Sequence, residues 1–287
     1  MKPIIKYRGG KSREIQEFQR FIPATFENYI EPFLGGGAVF FFLEPENAIL
    51  NDVNDRLMTF YGQVRNNYQE LSRELFELEQ IYERNQLDYT KNKAAIGDSN
   101  IRIENRNETL YYKLRDMYNG IIESEYMQGT LYYFINKTSY SGMIRFNQQG
   151  EFNVPFGRYA HLNTRMITLN HCNLLNRAEL YNTDYSDIFE RANVNDFMFL
   201  DPPYDCTFND YGNLNMQNGF DEEHHRRLAA DFGNLNCKAM MVIGRTELTE
   251  ELYRARIIHE YTKNYAVNIR NRFNANASHI VVTNYRV

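Results

Sequence analysis

The sequence predicts an α/β fold, and two stretches of the chain carry that prediction. An apolar stretch at 28–33 runs into Gly35-Gly36-Gly37 and then into the apolar residues 38–43, the pattern of a strand, a tight turn and a helix. The buried-strand pattern at 197–200 stops at Asp201-Pro202-Pro203-Tyr204, because proline cannot continue a central strand. Between these stretches, apolar residues recur at helical spacing instead. An inserted, mainly helical domain therefore separates two parts of the predicted sheet.

The other elements of the α/β domain follow on either side of the insertion. A second strand at 48–50 ends at Asn51-Asp52-Val53-Asn54, so two strands with a helix between them open the sheet. Further along the chain we predict strands at 179–182, 197–200, 239–243 and 279–283 and a helix at 222–235. The predicted domains are an α/β domain at 1–55 and 166–287 and an inserted domain at 56–165.

The inserted domain begins with a long amphipathic pattern. Its apolar seam steps by alternating fours and threes: Leu57, Tyr61, Val64, Tyr68, Leu71, Leu75, Leu78 and Tyr82. A packed helix explains this seam. A coiled-coil dimer gives the same spacing, but the pattern lasts less than about four heptads. Residues 97–107 are predicted to be a loop, 108–122 a helix, and 126–165, dense in Tyr, Phe, Asn and Gly, an irregular surface rather than a core.

Bulk composition indicates a folded protein without a membrane segment or a targeting signal. The chain has 287 residues, of which 43% are hydrophobic, enough for one sizeable core and a smaller domain. Its longest apolar run, 38–43, is too short to span a bilayer, and no signal-peptide pattern occurs at the start. We therefore expect a cytoplasmic monomer with no obligate protein partner. Cys172, Cys206 and Cys237 are widely spaced and predict neither disulfides nor a zinc site.

Charge is segregated along the chain, although the net charge is only −5. Residues 1–13 carry +5, residues 126–170 carry +3 and residues 261–287 carry +4, so the remainder is strongly acidic. Gathered on one surface, these basic stretches would suit a phosphate backbone. The alternative is that they are solvated faces of unrelated elements.

The glycine turn and the acid after the next strand predict a pocket for a nucleoside-type ligand. Glycines let the backbone approach a ligand closely, and the following helix presents free N–H groups, so Phe33, Gly35 and Gly37 are candidate cofactor residues. Asp52 stands 17 residues after Gly35, near the place where dinucleotide folds hold ribose hydroxyls. Glu31 is a further candidate, since a charged residue near a strand end usually needs a partner. No Walker-type Gly-Lys-Ser/Thr follows the glycines, which disfavours ATP hydrolysis.

Asp201-Pro202-Pro203-Tyr204 predicts a site that binds an amino group. The tetrapeptide leaves the sheet at its carboxyl edge, where open α/β sheets bind ligands. The Asp201 carboxylate and the Pro202 carbonyl can accept both protons of an exocyclic amine, and Tyr204 can stack on an aromatic base. Such positioning activates a poorly nucleophilic amine without a covalent intermediate. A rigid turn with a buried tyrosine is the alternative.

Two other chemistries are disfavoured. Methylation of cytosine at C5 needs a cysteine nucleophile, and no Pro-Cys pair occurs in the chain. No metal is predicted, because His224 and His225 are adjacent and cannot face one metal ion on a helix.

Five motifs occur along the chain in a characteristic order. They are Ile5-Lys6-Tyr7-Arg8-Gly9-Gly10-Lys11, Glu31-Pro32-Phe33-Leu34-Gly35-Gly36-Gly37, Asn51-Asp52-Val53-Asn54, Arg145-Phe146-Asn147-Gln148-Gln149-Gly150-Glu151-Phe152-Asn153-Val154-Pro155-Phe156-Gly157 and Asp201-Pro202-Pro203-Tyr204. Together they resemble Dam-type DNA adenine-N6 methyltransferases, in which the recognition domain lies between the cofactor and catalytic motifs. The resemblance covers most of the chain outside roughly 60–125. It implies a Rossmann-like methyltransferase sheet and a target-recognition domain at 56–165.

The resemblance implies the reaction as well. A methyl group would pass from S-adenosyl-L-methionine to N6 of an adenine flipped out of double-stranded DNA, leaving S-adenosyl-L-homocysteine. Family members often methylate GATC, which is the predicted target. The sequence does not distinguish an enzyme of restriction-modification from one that serves a phage or gene regulation.

The resemblance also implies roles for individual residues. The predicted cofactor contacts it adds are Tyr7, Lys11, Asp184 and Tyr185, with Asp52 at the ribose and Asp201 beside the cofactor. The DNA contacts that it implies are Lys6, Tyr140, Met143, Arg145, Pro155 and Arg158, and we predict Lys137 and Asn147 as further DNA contacts. An arginine such as Arg145 can grip guanine with two hydrogen bonds, and Tyr140 can fill the gap that a flipped adenine leaves.

Two alternatives stay open at the level of sequence. One is a DNA-binding relative that has lost turnover, for which cofactor binding without methyl incorporation would be evidence. The other is a methyltransferase of RNA or of a protein amide, for which related folds commonly carry Asn in place of Asp201. Competition between duplex DNA and RNA substrates would separate the second alternative from DNA methylation.

Overall fold

The computed structural model describes residues 1–7, 9–96, 103–203, 220–264 and 276–287. Its strands are β1 (Tyr29–Glu31), β2 (Ala48–Asn51), β3 (Ala178–Tyr181), β4 (Phe197–Leu200), β5 (Lys238–Gly244), β6 (Ile257–Asn264) and β7 (Asn276–Thr283). Its helices are α1 (Ile15–Phe18), α2 (Ala38–Leu43), α3 (Asp55–Asn66), α4 (Tyr68–Ile96), α5 (Arg106–Tyr118), α6 (Gln128–Thr138), α7 (Leu169–Leu175), α8 (Tyr185–Phe189), α9 (Glu222–Asn234) and α10 (Glu247–Tyr253). The chain divides into two compact units: Met1–Pro3, Gly9–Asn54 and Arg177–Val287 form the first, and Ile4–Arg8 and Asp55–Asn176 form the second.

The first unit is built on a sheet whose seven described strands lie in the order β3-β2-β1-β4-β5-β7-β6. The pairs from β3 to β5 are parallel, whereas β7 runs antiparallel to both β5 and β6. The order of the strands reverses between β1 and β4, where Tyr29 lies opposite Phe197. A reversal of this kind opens a crevice at the carboxyl ends of the two strands, and ligands bind there. The predicted α/β fold class is confirmed.

Helices cover both faces of the central strands, because successive side chains point to opposite sides of the sheet. One face belongs to a core that includes Ile30, Met198, Leu200, Ile188 of α8, Leu228 of α9 and Tyr253 of α10. On the other face, the Phe18 ring of α1 stacks 5.6 Å from the Phe199 ring. The Phe40 ring of α2 stacks 6.4 Å from the Tyr29 ring on that face. Every residue of β4 is buried, which explains its uninterrupted apolar sequence.

In the second unit, α3 and α4 bury the amphipathic seam inside the unit. Seven of the eight seam residues are buried and Tyr68 is half-buried. The central helix α6 packs against α3, α4 and α5 of the same chain, so the packed-helix interpretation is confirmed. A bend at Asn67 divides the seam between two helices, which the continuous pattern did not show.

One expectation for the second unit is wrong in part. Residues 126–165 were expected to form an irregular surface rather than a core. This fails at α6, where Gly129–Asn136 and Thr138 are buried and Lys137 is half-buried. Residues 139–165 contain no α-helix and no strand, as expected. Because α6 is buried on nearly all sides, its sequence does not alternate an apolar and a polar face as an amphipathic helix does. Residues 166–176 also group with the second unit, where α7 packs against α3.

Other differences concern shorter elements. The sequence pattern missed β6, an edge strand whose alternation is interrupted by His259, Glu260 and Lys263. The predicted loop at 97–107 lies partly outside the described residues, and α5 begins after Asn105, whose side chain caps the helix. Cys172 and Cys237 are buried, and Cys206 lies outside the described residues. Among the described helices, none combines the length and the apolar character needed to cross a membrane.

Candidate functional site

The glycine turn follows β1 at the point where the strand order reverses. Gly35 and Gly37 have φ values of 48° and 64°, a left-handed conformation that favours glycine. The Gly37 N–H donates to the Leu34 carbonyl at 2.7 Å, and the Leu34 N–H donates to the Asn51 carbonyl at 2.8 Å. A Cβ on Gly37 would lie 2.9 Å from the ring of Phe41. The close turn is therefore tied to the end of β2 and requires glycine at its last position.

Asp52 is buried just after β2, and its carboxylate faces the glycine turn. Its Oδ2 accepts the Gly35 N–H and its Oδ1 accepts the Asn54 N–H, each at 2.9 Å. Burial raises the pKa of Asp52 to about 6, although the two N–H groups act in the opposite direction. The Asn182 side chain donates to the Asp52 carbonyl at 2.7 Å and so joins the end of β3 to this corner. Since each carboxylate oxygen has a second lone pair, Asp52 can also accept from a ligand.

Glu31, the last residue of β1, is buried beside Tyr29. The Tyr29 hydroxyl donates to Glu31 Oε2 at 2.9 Å. Burial raises the pKa of Glu31 well above its usual range, and the charges of Asp201 and Asp52 add to that effect. Three acids predicted for the site therefore interact in one part of the first unit. Carboxyl groups perturbed in this way are typical of functional sites.

Asp201 follows β4 and forms an ion pair with Lys11. The Lys11 side chain is 1% exposed and the Asp201 side chain is 21% exposed. The Lys11 ammonium also donates to the Gly9 carbonyl at 3.1 Å. Pro202 is buried, and Tyr204 lies outside the described residues. The pair joins two residues that were predicted separately, Lys11 as a cofactor contact and Asp201 as catalytic.

Phe33, Asp184 and Tyr185 come together at the start of α8. The ring of Phe33 lies 5.4 Å from the ring of Tyr185. The Asp184 carboxylate accepts the Ser186 N–H and the Arg227 guanidinium, each at 3.0 Å. Burial acts to raise the pKa of Asp184, but the hydrogen bonds from Ser186 and the charge of Arg227 hold it below its usual value. The cluster combines an aromatic surface with an ionised acceptor, two features that suit a purine.

Arg227 contacts the candidate site, and the sequence did not reveal it. Its guanidinium lies 5.0 Å from the Tyr185 ring, and its Nε lies 3.7 Å from the Asp231 carboxylate. The Tyr185 hydroxyl donates to the same Asp231 carboxylate at 2.8 Å. The spacing of Arg227 and Asp231 on a predicted helix is a weak signal, since it is common on solvated faces. The contact with Asp184 spans 43 residues, and local patterns carry no information about such a distance.

In the second unit, the start of the chain is bound to α6. The Asn136 side chain donates to the Lys6 carbonyl at 2.8 Å and accepts the Lys6 N–H at 3.2 Å. The Lys137 ammonium donates to the Ile4 carbonyl at 2.8 Å. Burial, together with the charge of Lys6, lowers the pKa of Lys137 to about 8. The Lys6 side chain is exposed and Tyr7 is half-buried, whereas Lys137 binds the backbone of the N-terminal segment.

Tyr140, Met143 and Pro155 lie together after the end of α6. The Tyr140 N–H donates to the Pro155 carbonyl at 2.9 Å, and the Met143 N–H donates to the Tyr140 carbonyl at 3.2 Å. A Cβ on Gly142 would lie 3.3 Å from the Lys6 side chain, so Lys6 is adjacent to the same turn. The Tyr140 side chain is 57% exposed. Four residues predicted to contact DNA thus share one surface region of the second unit.

Two arginines predicted to contact DNA are exposed and held by their surroundings. Arg145 Nε donates to the Asn153 side chain at 2.9 Å, which orients the guanidinium. Arg158 has a φ of 56°, a conformation that a non-glycine residue adopts where the structure around it imposes it. The N–H of the preceding Gly157 donates to the Thr138 carbonyl at 2.8 Å and fixes this segment to α6.

A small hairpin pairs Phe146 with Phe152, and Asn147 forms its turn. Asn147 Oδ1 accepts the N–H groups of Gln149 and Glu151 at 3.0 and 2.8 Å. The Asn147 amide nitrogen donates to the Glu151 carboxylate at 2.9 Å. The side chain of Asn147, which was predicted to contact DNA, thus makes its described hydrogen bonds within the hairpin.

Two residues outside the long motif clamp this hairpin. Arg56 of α3 donates to the Gly150 carbonyl at 3.2 Å, and its guanidinium lies 4.7 Å from the Phe146 ring. The Asn119 side chain donates to the Phe152 carbonyl at 3.0 Å and accepts the Phe152 N–H at 2.8 Å. Sequence reasoning missed both residues, because each acts on a segment more than thirty residues away.

The strand order of the first unit, its glycine turn, the acid after β2 and the acid-proline turn after β4 define a Rossmann-like methyltransferase. The chain belongs to the D12 class N6 adenine-specific DNA methyltransferases, whose family model matches residues 7–267. It is therefore an adenine-specific DNA methyltransferase, and the predicted family and enzyme class are confirmed.

Similar proteins agree with this assignment. The type II methyltransferase M.CviBI of Paramecium bursaria Chlorella virus NC1A is 34% identical over 293 residues, which cover 99% of this chain and 100% of the relative. The type II methyltransferase M.MjaIII of Methanocaldococcus jannaschii is 31% identical over 71% of this chain and 69% of its own length. The DNA adenine methylase of Salmonella typhi is 28% identical over 89% of this chain and 85% of its own length.

Proposed function

We propose that this protein transfers a methyl group from S-adenosyl-L-methionine to N6 of an adenine extruded from double-stranded DNA, and that the target lies within GATC. S-adenosyl-L-homocysteine would be the second product. The observation that carries the proposal is the ion pair of Asp201 with Lys11 at the carboxyl end of β4, where the strand order reverses beside the glycine turn. GATC is proposed because members of the resembled family often methylate that sequence.

The residues around the glycine turn suit S-adenosylmethionine by their chemistry. Asp52 offers a carboxylate for ribose hydroxyls, and the half-buried Phe33 ring, packed on the buried Tyr185 ring, offers an apolar surface for the adenine moiety. When bound, the cofactor supplies an electrophilic methyl group on a positively charged sulfur. The Asp201 carboxylate lies in the same corner and favours a positive charge there. The proposed cofactor set is completed by Tyr7, Lys11, Gly35, Gly37 and Asp184.

Asp201 and Pro202 would act on the amino group of the target adenine. The Asp201 carboxylate and the Pro202 carbonyl accept one N–H each and hold the nitrogen in place. The lone pair of this nitrogen is delocalised into the ring, and fixing both hydrogens favours a pyramidal nitrogen whose lone pair is available. Asp201 Oδ also passes the surplus N6 proton to solvent, which reaches it because the side chain is 21% exposed.

The second unit would supply the DNA surface. Its proposed contacts are Lys6, Tyr140, Met143, Arg145, Pro155 and Arg158, of which all except Met143 are exposed. We assign guanine recognition to Arg145. Tyr140 would fill the gap that the extruded adenine leaves. Lys137 and Asn147 would support this surface from within, by holding the N-terminal segment and the hairpin turn.

Cofactor binding is expected to weaken as the pH falls through about 6. The pKa of Asp52 is raised to about 6, so the carboxylate is ionised at neutral pH and becomes protonated below that value. Protonation removes a charged acceptor, which should raise the Kd for S-adenosylmethionine roughly tenfold between about pH 7.5 and about pH 5. Calorimetric titration across this interval measures the change.

Asp52→Asn is the control, because its side chain does not titrate. We expect this variant to bind the cofactor weakly at every pH, with little dependence across the interval. A wild-type Kd that stays constant between about pH 7.5 and about pH 5 would contradict the proposed contact between Asp52 and the ribose.

Expression in a host that lacks DNA methylation, followed by base-resolved sequencing, tests the reaction and the target together. We expect N6-methyladenine in GATC on both strands. N6-methyladenine in a different sequence would overturn the proposed target and leave the reaction intact. Complete absence of modified adenine from DNA, with a folded and cofactor-bound protein, would overturn the proposal as a whole.

A further inference from the structure

Glu14 is a buried acid in the first unit to which the proposed mechanism gives no role. It is 5% exposed, and its Oε2 accepts the Tyr261 hydroxyl at 2.8 Å. The same oxygen lies 2.7 Å from Nδ1 of His279, which is 0% exposed. Tyr261 on β6 and His279 on β7 lie directly opposite each other, so one carboxylate binds both strands of the hairpin at the same level.

The backbone of Glu14 connects this cluster to the proposed active site. Glu14 ends the three-residue turn of 3-10 helix Lys11–Arg13, and its N–H donates to the Lys11 carbonyl at 2.7 Å. The Lys11 side chain pairs with Asp201. A 3-10 turn of this length has too few internal hydrogen bonds to hold its own position. Its place therefore depends on what anchors its ends.

The charge of Asp201 acts on Tyr261 of this cluster. Burial raises the pKa of Tyr261 far above its usual range, with further contributions from the charges of Glu14 and Asp201. Burying a carboxylate with an imidazole and a phenol is costly unless the geometry is good, and an apolar group of similar size would often be as stable. A polar cluster at this position is therefore better explained by the geometry that it imposes on its neighbours than by stability.

We propose that Glu14, Tyr261 and His279 are positioning residues for methyl transfer, which set the place of Lys11 and, through Lys11, that of Asp201. The cluster joins the turn that carries Lys11 to the β6–β7 pair, so that the ammonium meets the carboxylate after β4 in a fixed geometry. The inference rests on the proposed role of Asp201.

A double-mutant cycle between Glu14 and Lys11 tests the inference. We expect Glu14→Gln to lower kcat roughly 10- to 100-fold, the effect of a small displacement in an active site, with a smaller change in KM for DNA. In a Lys11→Met background, the same substitution should lower kcat by less than about twofold, because residues that act through one another are not additive. Multiplicative losses in the double variant would overturn the inference, since they are the result expected of an independent, structural role.

Two further variants keep the result interpretable. Glu46→Gln removes an exposed acid elsewhere in the same unit and should leave kcat unchanged. His279→Gln keeps a polar side chain in the cluster, and serves if Glu14→Gln does not fold, as judged by its melting temperature. We expect His279→Gln to lower kcat by the same factor as Glu14→Gln in the wild-type background. In the Lys11→Met background it should lower kcat by less than about twofold. If Lys11→Met and Asp201→Ala leave activity intact, the proposed function fails. If they lower activity while Glu14→Gln and His279→Gln do not, only the positioning role fails.

Discussion

Asp201→Ala is expected to lower the rate of methyl transfer by roughly 10³-fold, the effect of removing an acceptor that binds the reacting group most tightly in the transition state. The substitution removes the carboxylate that would accept an amino proton, and it also leaves the buried Lys11 ammonium without its ion pair. Because Asp52, Phe33 and Tyr185 are unchanged, the Kd for S-adenosylmethionine should change much less than the rate. Single-turnover assays with a labelled methyl donor separate the two quantities.

Two further variants serve as comparisons for Asp201→Ala. Asp201→Asn keeps one acceptor oxygen and should retain more activity than Asp201→Ala, although its amide hydrogens oppose the amino group. Glu223→Ala, which removes an exposed acid of the same unit, controls for the loss of a negative charge and should be fully active. A wild-type rate for Asp201→Ala would contradict the assigned role.

Arg145→Ala is expected to lower kcat/KM for the target duplex roughly 10- to 100-fold, the value of one guanine contact made through two hydrogen bonds. Arg145 is exposed, and its guanidinium is oriented by Asn153. Discrimination against duplexes with one changed base pair should fall with the rate, because the contact reads a base. Arg145→Lys should not restore either property, since an ammonium lacks the planar fork of donors.

Arg106→Ala provides the matched comparison, because Arg106 is a 68% exposed arginine of the same unit that lies 4.0 Å from the Asp88 carboxylate. This variant should bind and methylate DNA like the wild type. If Arg145→Ala and Arg106→Ala reduce kcat/KM equally and leave discrimination intact, Arg145 contributes only general charge. The assignment of base recognition to the hairpin would then be wrong.

The parts of the fold that sequence predicted best are those fixed by local chemistry. The run of β4 is continuously apolar because both faces of that strand are covered, and two prolines fix its end. The turn at Gly35 and Gly37 is fixed by left-handed backbone that other residues avoid. Such features need no information about distant parts of the chain.

The parts that sequence could not predict depend on distant contacts. The bend at Asn67 leaves the seam of α3 and α4 uninterrupted, so periodicity alone cannot place it. The start of the chain joins the second unit through the pair of Lys6 with Asn136, 130 residues apart. Arg227 and Glu14 have partners that are distant in sequence for the same reason. The sequence identified which residue types belong to the site, whereas the residues that orient them became visible only in three dimensions.

The most direct test of the role of Asp201 is single-turnover methylation of a duplex in which the target adenine faces a mismatch, because extrusion of an unpaired base costs little energy. If Asp201 acts on the amino group, Asp201→Ala should be as slow on this duplex as on the matched one, while the wild type is fast on both. If the mismatch instead restores the Asp201→Ala variant to the wild-type rate, Asp201 contributes to extruding the base and not to the reaction at N6, and the proposed mechanism is wrong.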